Sequence, residues 1–137
     1  MAEIPGQLVY RVSEGNSPIA GAMIMVTFGV VAKNPYVFVG GPSGRDGLVV
    51  VTKDEVGARA DQDLEMAMMD YVPLQGGFSG EIKAQPMDSD AIQRALDAYG
   101  NFRKYCKYPK GYEENLRNAL TVVNTYRTST IVVSRVE

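Results

Sequence analysis

The chain of 137 residues has no histidine, no tryptophan and a single cysteine, Cys106. Without imidazole, every mechanism that uses histidine as general base, general acid or metal ligand is excluded. Without tryptophan, the largest flat surface for stacking on a sugar or a base is missing, and the eight tyrosines are the main aromatic resource. One cysteine forms no intrachain disulfide, so the fold rests on its core. A lone cysteine suits a reducing compartment and leaves the compartment open. No window approaches the ~20 apolar residues of a membrane span. Residues 1–6 lack a basic stretch followed by a long apolar one, so no signal peptide is expected. The Gly/Pro-rich stretch 40–47 has no Walker lysine followed by Ser or Thr, which removes support for a phosphate-binding loop.

What is present suits one globular domain spanning residues 1–137. The residues are 45% hydrophobic and 22% charged, a balance that argues against disorder. The net charge of −2 is unevenly spread. Residues 1–101 carry seven Lys/Arg against thirteen Asp/Glu, whereas residues 102–137 carry seven against three. The C-terminal part is therefore the basic pole of a mildly acidic chain, a dipole that can orient a protein partner or a second copy. No nucleic acid is expected, because the acidic body opposes it.

Turn and strand signals dominate the first 85 residues. Leu8-Val9-Tyr10-Arg11-Val12 reads as a strand, closed by the turn cluster Glu14-Gly15-Asn16-Ser17-Pro18. In the run 22–31, Ile24, Val26 and Phe28 share one face while Met23, Met25 and Thr27 share the other. Both faces are largely apolar, so this strand is expected to be central or covered on both sides. Residues 35–39 and 48–52 are further β-branched runs. The stretch 40–47 between them reads as a long flexible hairpin connection. Thr52-Lys53-Asp54-Glu55 has the form of a capping box, predicting a short helix over 54–60. Residues 64–71, ending before Pro73, read as a strand, and residues 78–84 as another.

The period then changes. Asp88-Ser89-Asp90 is a cap cluster, followed at helical spacing by Ile92, Ala95, Leu96, Tyr99 and Phe102. Pro109-Lys110-Gly111 breaks this helix. Tyr112, Leu116, Ala119, Leu120 and Val123 mark a second. Residues 129–136 are β-branched and alternating, a last strand that must return to a sheet. The expected architecture is mainly β: a Greek-key sandwich with a helical hairpin over about 88–125 inserted before the last strand.

Two motifs carry a family resemblance. Gly15-Asn16-Ser17-Pro18-Ile19-Ala20-Gly21-Ala22-Met23-Ile24-Met25-Val26 resembles the opening motif of carboxypeptidase-regulatory-like domains. Ser43-Gly44-Arg45-Asp46-Gly47-Leu48-Val49-Val50 resembles their second motif, an Asp-Gly turn before a strand. These domains are similar to transthyretin (prealbumin-like), and the resemblance covers about residues 7–85. It implies a small sandwich of roughly seven strands, an immunoglobulin-like architecture whose members serve many roles. The helical segment lies outside that pattern. An enzymatic branch of the transthyretin-like group ends in Tyr-Arg-Gly-Ser and uses histidines. Tyr126-Arg127-Thr128-Ser129 only partly matches that ending, and this chain has no histidine to supply the chemistry.

Five features invite a chemical reading. Phe102, Tyr105, Tyr108 and Tyr112 interleave with Arg103, Lys104, Lys107 and Lys110. Such a run either continues the core stripe of a helix, with cations offsetting its dipole, or presents a partner-binding patch. Tyr105, Lys107, Tyr108, Lys110 and Tyr112 are the candidate contact residues, with Tyr105, Lys107, Tyr108 and Lys110 expected to be exposed. Asp61, Asp63 and Glu65 alternate onto one strand face, where they either hold a cation or form a solvated edge that discourages aggregation. Asp54/Glu55 and Asp88/Asp90 are acid pairs usable for glycoside hydrolysis or for capping helices. Cys106, beside Lys104 and Lys107, is either a thiol with a lowered pKa or a packing residue; no histidine can serve as its base. Met66, Met68 and Met69 suit a core or an adaptable contact face. The sequence thus favours a non-enzymatic binding or structural module that works through a protein partner or self-association and needs no cofactor. A carbohydrate-binding module and a paired-carboxylate hydrolase are the alternatives.

Overall fold

The computed structural model describes residues 5–30, 36–58, 78–104, 108–126 and 130–137. Their elements run β1 (Gln7–Glu14), β2 (Ser17–Pro18), β3 (Ile24–Val30), β4 (Tyr36–Gly40), β5 (Leu48–Thr52), α1 (Lys53–Ala58), β6 (Phe78–Pro86), α2 (Ser89–Phe102), α3 (Tyr112–Tyr126) and β7 (Ile131–Val136). The strands form two antiparallel sheets. In the first, β1 is central. Residues 7–11 of β1 pair with β5 and residues 9–14 with β7, so β5 and β7 occupy opposite edges. In the second, β3 is central between β4 and β6.

The central place of β3 follows from its composition. A strand with apolar residues on both faces needs cover on both. Ile24, Val26 and Phe28 are buried with Phe38 of β4, while the opposite face carries Met25 and Thr27. Leu8, Tyr10 and Val12 of β1 and Val49 and Val51 of β5 belong to the same core cluster. Burying each large apolar side chain contributes about 1.5–3 kcal/mol.

The stretch 40–47 differs from the sequence expectation. It is not a hairpin connection, because β4 pairs with β3 whereas β5 pairs with β1. It crosses from one sheet to the other and is held tightly on the way. Ser43, only 4% exposed, donates through Oγ to the Ile19 carbonyl at 2.6 Å and accepts from the Ala22 amide at 2.9 Å. Its backbone adds two more bonds, Gly21 N to Ser43 O and Ser43 N to Ala22 O, each 2.9 Å. Gly47 closes the same knot. Its φ is +79°, and a Cβ there would lie 2.6 Å from the Val12 carbonyl oxygen. Only glycine meets both conditions without strain.

The helix signals act locally as read. Thr52 Oγ1 accepts from the Glu55 amide at 3.1 Å at the start of α1. Asp88 caps α2 by accepting from the Ala91 amide at 2.7 Å. Tyr112, Leu116, Ala119 and Val123 form the buried stripe of α3. The two helices, which follow β6 and precede β7 in the chain, pack on each other, as expected for the helical hairpin. Ile92, Leu96 and Leu116 are buried, while Tyr99 and Leu120 pack against the cluster from its margin. Residue 21 meets α3, where a Cβ on Gly21 would lie 3.5 Å from Val122. No described helix is long and apolar enough to cross a membrane. The strand expected over 64–71 lies outside the described residues.

Two measurements probe this framework. Ser43→Ala strips partners from a buried amide and a buried carbonyl, and should cost about 1–3 kcal/mol in urea unfolding. A loss below a few tenths would show that the knot does not hold the crossing. Tyr10 supplies the second. Burial pushes its hydroxyl above the ordinary value of 10.0, and the Arg135 guanidinium from the facing β7 position pulls partly back. A raised folded-state pKa leaves stability intact below the ordinary value and erodes it as pH rises through the raised one. Tyr10→Phe should therefore gain on the wild type above about pH 10, read as the difference between their thermal melts.

Candidate functional site

The period of β3 and β4 that fills the core also builds a groove on the other side. Met25 pairs directly with Val39, and Thr27 with Val37. Because side chains alternate along a strand, Met25, Val37 and Val39 share the face opposite Phe28 and Phe38. Val37 is 49% exposed, unusually open for a valine beside a packed helix. Met87 precedes α2 and is pinned to the residue before β3 through a bond from its amide to the Met23 carbonyl, 3.2 Å. That bond sets the start of α2 beside the sheet face.

Alpha-helical geometry then divides the residues of α2. Ile92 and Leu96 are buried in the core with Tyr99 packed against it, while Ala91, itself buried, Ala95 and Ala98 line the groove. The alanine methyls are short, so a gap of about 460 Å³ remains between helix and sheet. Met25, Val37, Val39 and Met87 form its apolar floor, Arg94 stands beside the alanine wall, and Tyr108 and Tyr112 complete the lining. Site volumes of roughly 300–1,000 Å³ are typical of ligand pockets.

Arg94 is exposed and is the only charged residue among the described lining residues. No ion pair involving it occurs among the described residues. Asp90 and Asp97 lie within a turn of it. Asp97 accepts from Gln93 Nε2 at 3.0 Å. The tyrosines form a packed cluster with Tyr99: ring centroids are 5.0 Å apart for Tyr99–Tyr108, 5.8 Å for Tyr99–Tyr112 and 5.0 Å for Tyr108–Tyr112. Edge-on and tilted ring pairs at such spacings are attractive by about 0.5–1.5 kcal/mol beyond burial.

The structure revises the basic–aromatic patch. Tyr112 is only 5% exposed and Tyr108 is half-buried, so neither is a free surface ring. Their rings pack on Tyr99, because the turn before α3 folds the two helices together. Lys110 is exposed at that turn, as are Arg103 and Lys104 at the end of α2. Thus Tyr108 and Tyr112 come together, while Arg103, Lys104 and Lys110 are exposed. Tyr105, Lys107 and Cys106 lie outside the described residues, as do Asp61, Asp63, Glu65 and the methionines 66, 68 and 69. Among the described residues, no three His, Cys, Asp or Glu side chains gather as a metal site. The acid pairs sit at helix starts, with Asp88 itself serving as a cap.

The groove residues Met25, Val37, Val39, Ala91, Arg94 and Ala98 were not singled out as a site from sequence. A signal existed for some of them. Met25 lies on the second apolar face of β3, and the alanines recur at helical spacing beside the core stripe. Nothing marks Arg94, which looks like any solvated helix residue.

No protein-family model matches the chain, and no curated protein or solved structure matches it either.

Tyr112→Ala should cost about 3–5 kcal/mol, as for other buried aromatic truncations. Lys110→Ala should stay within about 0.5 kcal/mol of the wild type. Paired thermal melts test both, and a similar small loss at each site would mean that the tyrosine cluster is not part of the core.

Proposed function

We propose that this protein is a non-enzymatic binding module that engages a protein partner through the groove between α2 and the outer face of β3 and β4. The observation that carries this reading is the groove itself: an open, apolar floor with Val37 half exposed, walled by small side chains and edged by one guanidinium. Concave, mainly apolar sites with a few polar groups at the edge are where ligands and partner side chains bind. The exposed cations Arg103, Lys104 and Lys110 follow the tyrosine-lined helix junction and add a positive surface suited to an acidic partner.

The scaffold in this proposal is a transthyretin-like, Greek-key β-sandwich with the helical hairpin inserted before its last strand. Three observations support it. One core cluster draws side chains from both sheets. β4 lies against β5 and β6 against β7, so the sheets meet along both sides. The two turn motifs that carry the family resemblance interlock at Ser43 and Gly47. The carbohydrate reading gains no such support, because the described tyrosines at the site pack on one another rather than forming a flat platform. The hydrolase reading gains none, because no carboxylate belongs to the described lining.

Filling the groove tests the proposal. Ala95→Leu places a larger side chain in the wall without adding charge. Sedimentation of the chain alone reports a second copy as partner, and affinity capture on the immobilised chain reports a different one. Association present in the wild type should be lost in Ala95→Leu at an unchanged melting temperature. Association that survives a folded Ala95→Leu protein would sink the groove as the contact surface.

A further inference from the structure

The turn before β5 carries a chemistry of its own. Asp46-Gly47 is the only Asp-Gly pair in the chain, and no Asn-Gly pair occurs. A glycine after an aspartate presents a backbone nitrogen with no side chain beside it. That nitrogen can attack the aspartate Cγ and close a five-membered imide, expelling one water. A second water then opens the ring. Opening at Cγ restores aspartate. Opening at the main-chain carbonyl breaks the original peptide bond and leaves isoaspartate. Its chain runs through Cβ and Cγ, and the former main-chain carbonyl becomes the free carboxylate. One water is lost and one gained, and nothing is oxidised or reduced.

The folded turn opposes the first step. Asp46 is exposed to water, but Gly47 is buried. The Gly47 amide donates to the Gly44 carbonyl at 2.9 Å, closing the turn 44–47. An imide nitrogen has no hydrogen, so ring closure destroys that bond. Asp46 Oδ1 accepts from the Leu48 amide at 3.0 Å, which holds the carboxylate in its own turn. The flanks are clamped as well. The Gly44 amide donates to the Leu48 carbonyl at 3.1 Å, and the Val12 amide donates to the Gly47 carbonyl at 2.8 Å.

Isoaspartate adds one carbon to the backbone inside this closed loop, and the loop has no slack. A Cβ on Gly47 would already lie 2.6 Å from the Val12 carbonyl oxygen and 3.0 Å from Pro18 Cβ. The fold also keeps the reactive glycine in place, because a φ of +79° in that space favours glycine alone.

We propose that Asp46 is a covalent modification site gated by the fold. It converts to isoaspartate when the crossing 40–47 opens, and conversion prevents the knot at Ser43 and Gly47 from closing again. The turn that joins the two sheets thereby keeps a record of chains that have been open.

The test uses the full chain in neutral buffer, native or held unfolded in urea. A peptide of residues 43–50, with and without urea, gives the intrinsic rate. Isoaspartate is located by peptide mapping, by incorporation of heavy oxygen from labelled water and by labelling with an isoaspartyl methyltransferase. In the unfolded chain Asp46 should convert at the rate of the peptide. In the native chain it should convert at least about tenfold more slowly, since several hydrogen bonds must open together first. Asp46→Asn should behave alike, releasing ammonia when unfolded and not when native. Asp46→Glu, whose imide would need a six-membered ring, should give no signal. Isomerised chain, purified and returned to native buffer, should unfold at lower urea than the unmodified chain. Equal conversion in native and unfolded chains overturns the gating. An unfolded chain that stays unmodified while the peptide converts, or a signal that persists in Asp46→Glu, overturns the site. An isomerised chain with an unchanged urea midpoint overturns the block on reclosure.

Discussion

The hydroxyl of Ser43 is the point on which the framework turns. It lies in the crossing between the two sheets, and with its own backbone it makes four hydrogen bonds to residues 19–22. Those residues lead into β3, the centre of one sheet. Gly47, four residues on, gives its carbonyl to the Val12 amide of β1, the centre of the other. The Val12 carbonyl in turn receives the Ile19 amide. A few neighbouring backbone groups thus join both central strands. Buried polar groups satisfied in this way specify one arrangement, since any slip leaves them unpaired at a cost of about 1–3 kcal/mol each.

The groove depends on that placement. Once β3 is held in the middle of its sheet, its alternate residues go to opposite sides. One set fills the core with Phe28, and the other offers Met25 as floor. The bond from Met87 to Met23 then starts α2 at the rim of the same sheet face. Three alanines keep the helix from filling the space it covers. The tyrosine cluster at the helix junction completes the lining, its rings packed edge-on and tilted. Core, groove and junction are successive consequences of one strand having two apolar faces.

Local signals in the sequence were faithful where the physics is local. The capping bonds at Thr52 and Asp88 form as the residue spacing implied. The helical stripes of α2 and α3 bury the side chains that the period selects. The site was less legible. Tyr108 and Tyr112 alternate with lysines, a pattern equally suited to a wet surface or to a packed junction, and only the packing of α3 on α2 decides for the junction. Val37 and Val39 read as strand residues, with no local mark to separate the pocket side from the core side. The stretch 40–47 read as a hairpin because hairpins are the commonest link between adjacent strands. Its actual role depends on partners at Ile19 and Ala22, more than twenty residues away in the chain.

The amino-acid order by itself determined the punctuation of this protein: where strands and helices start and stop, which helix faces are apolar, and which chemistries are closed for want of histidine. Those properties follow from backbone preferences, side-chain period and residue inventory, all of which act over a few neighbours. The tertiary structure alone decided that β4 and β5 part into different sheets, that Tyr108 and Tyr112 pack on Tyr99, and that Arg94 stands beside an apolar groove. Strand pairing and the meeting of a helix with a sheet face are contacts between residues distant in sequence. They are set by which surfaces can be buried together, and no single stretch of chain carries that information.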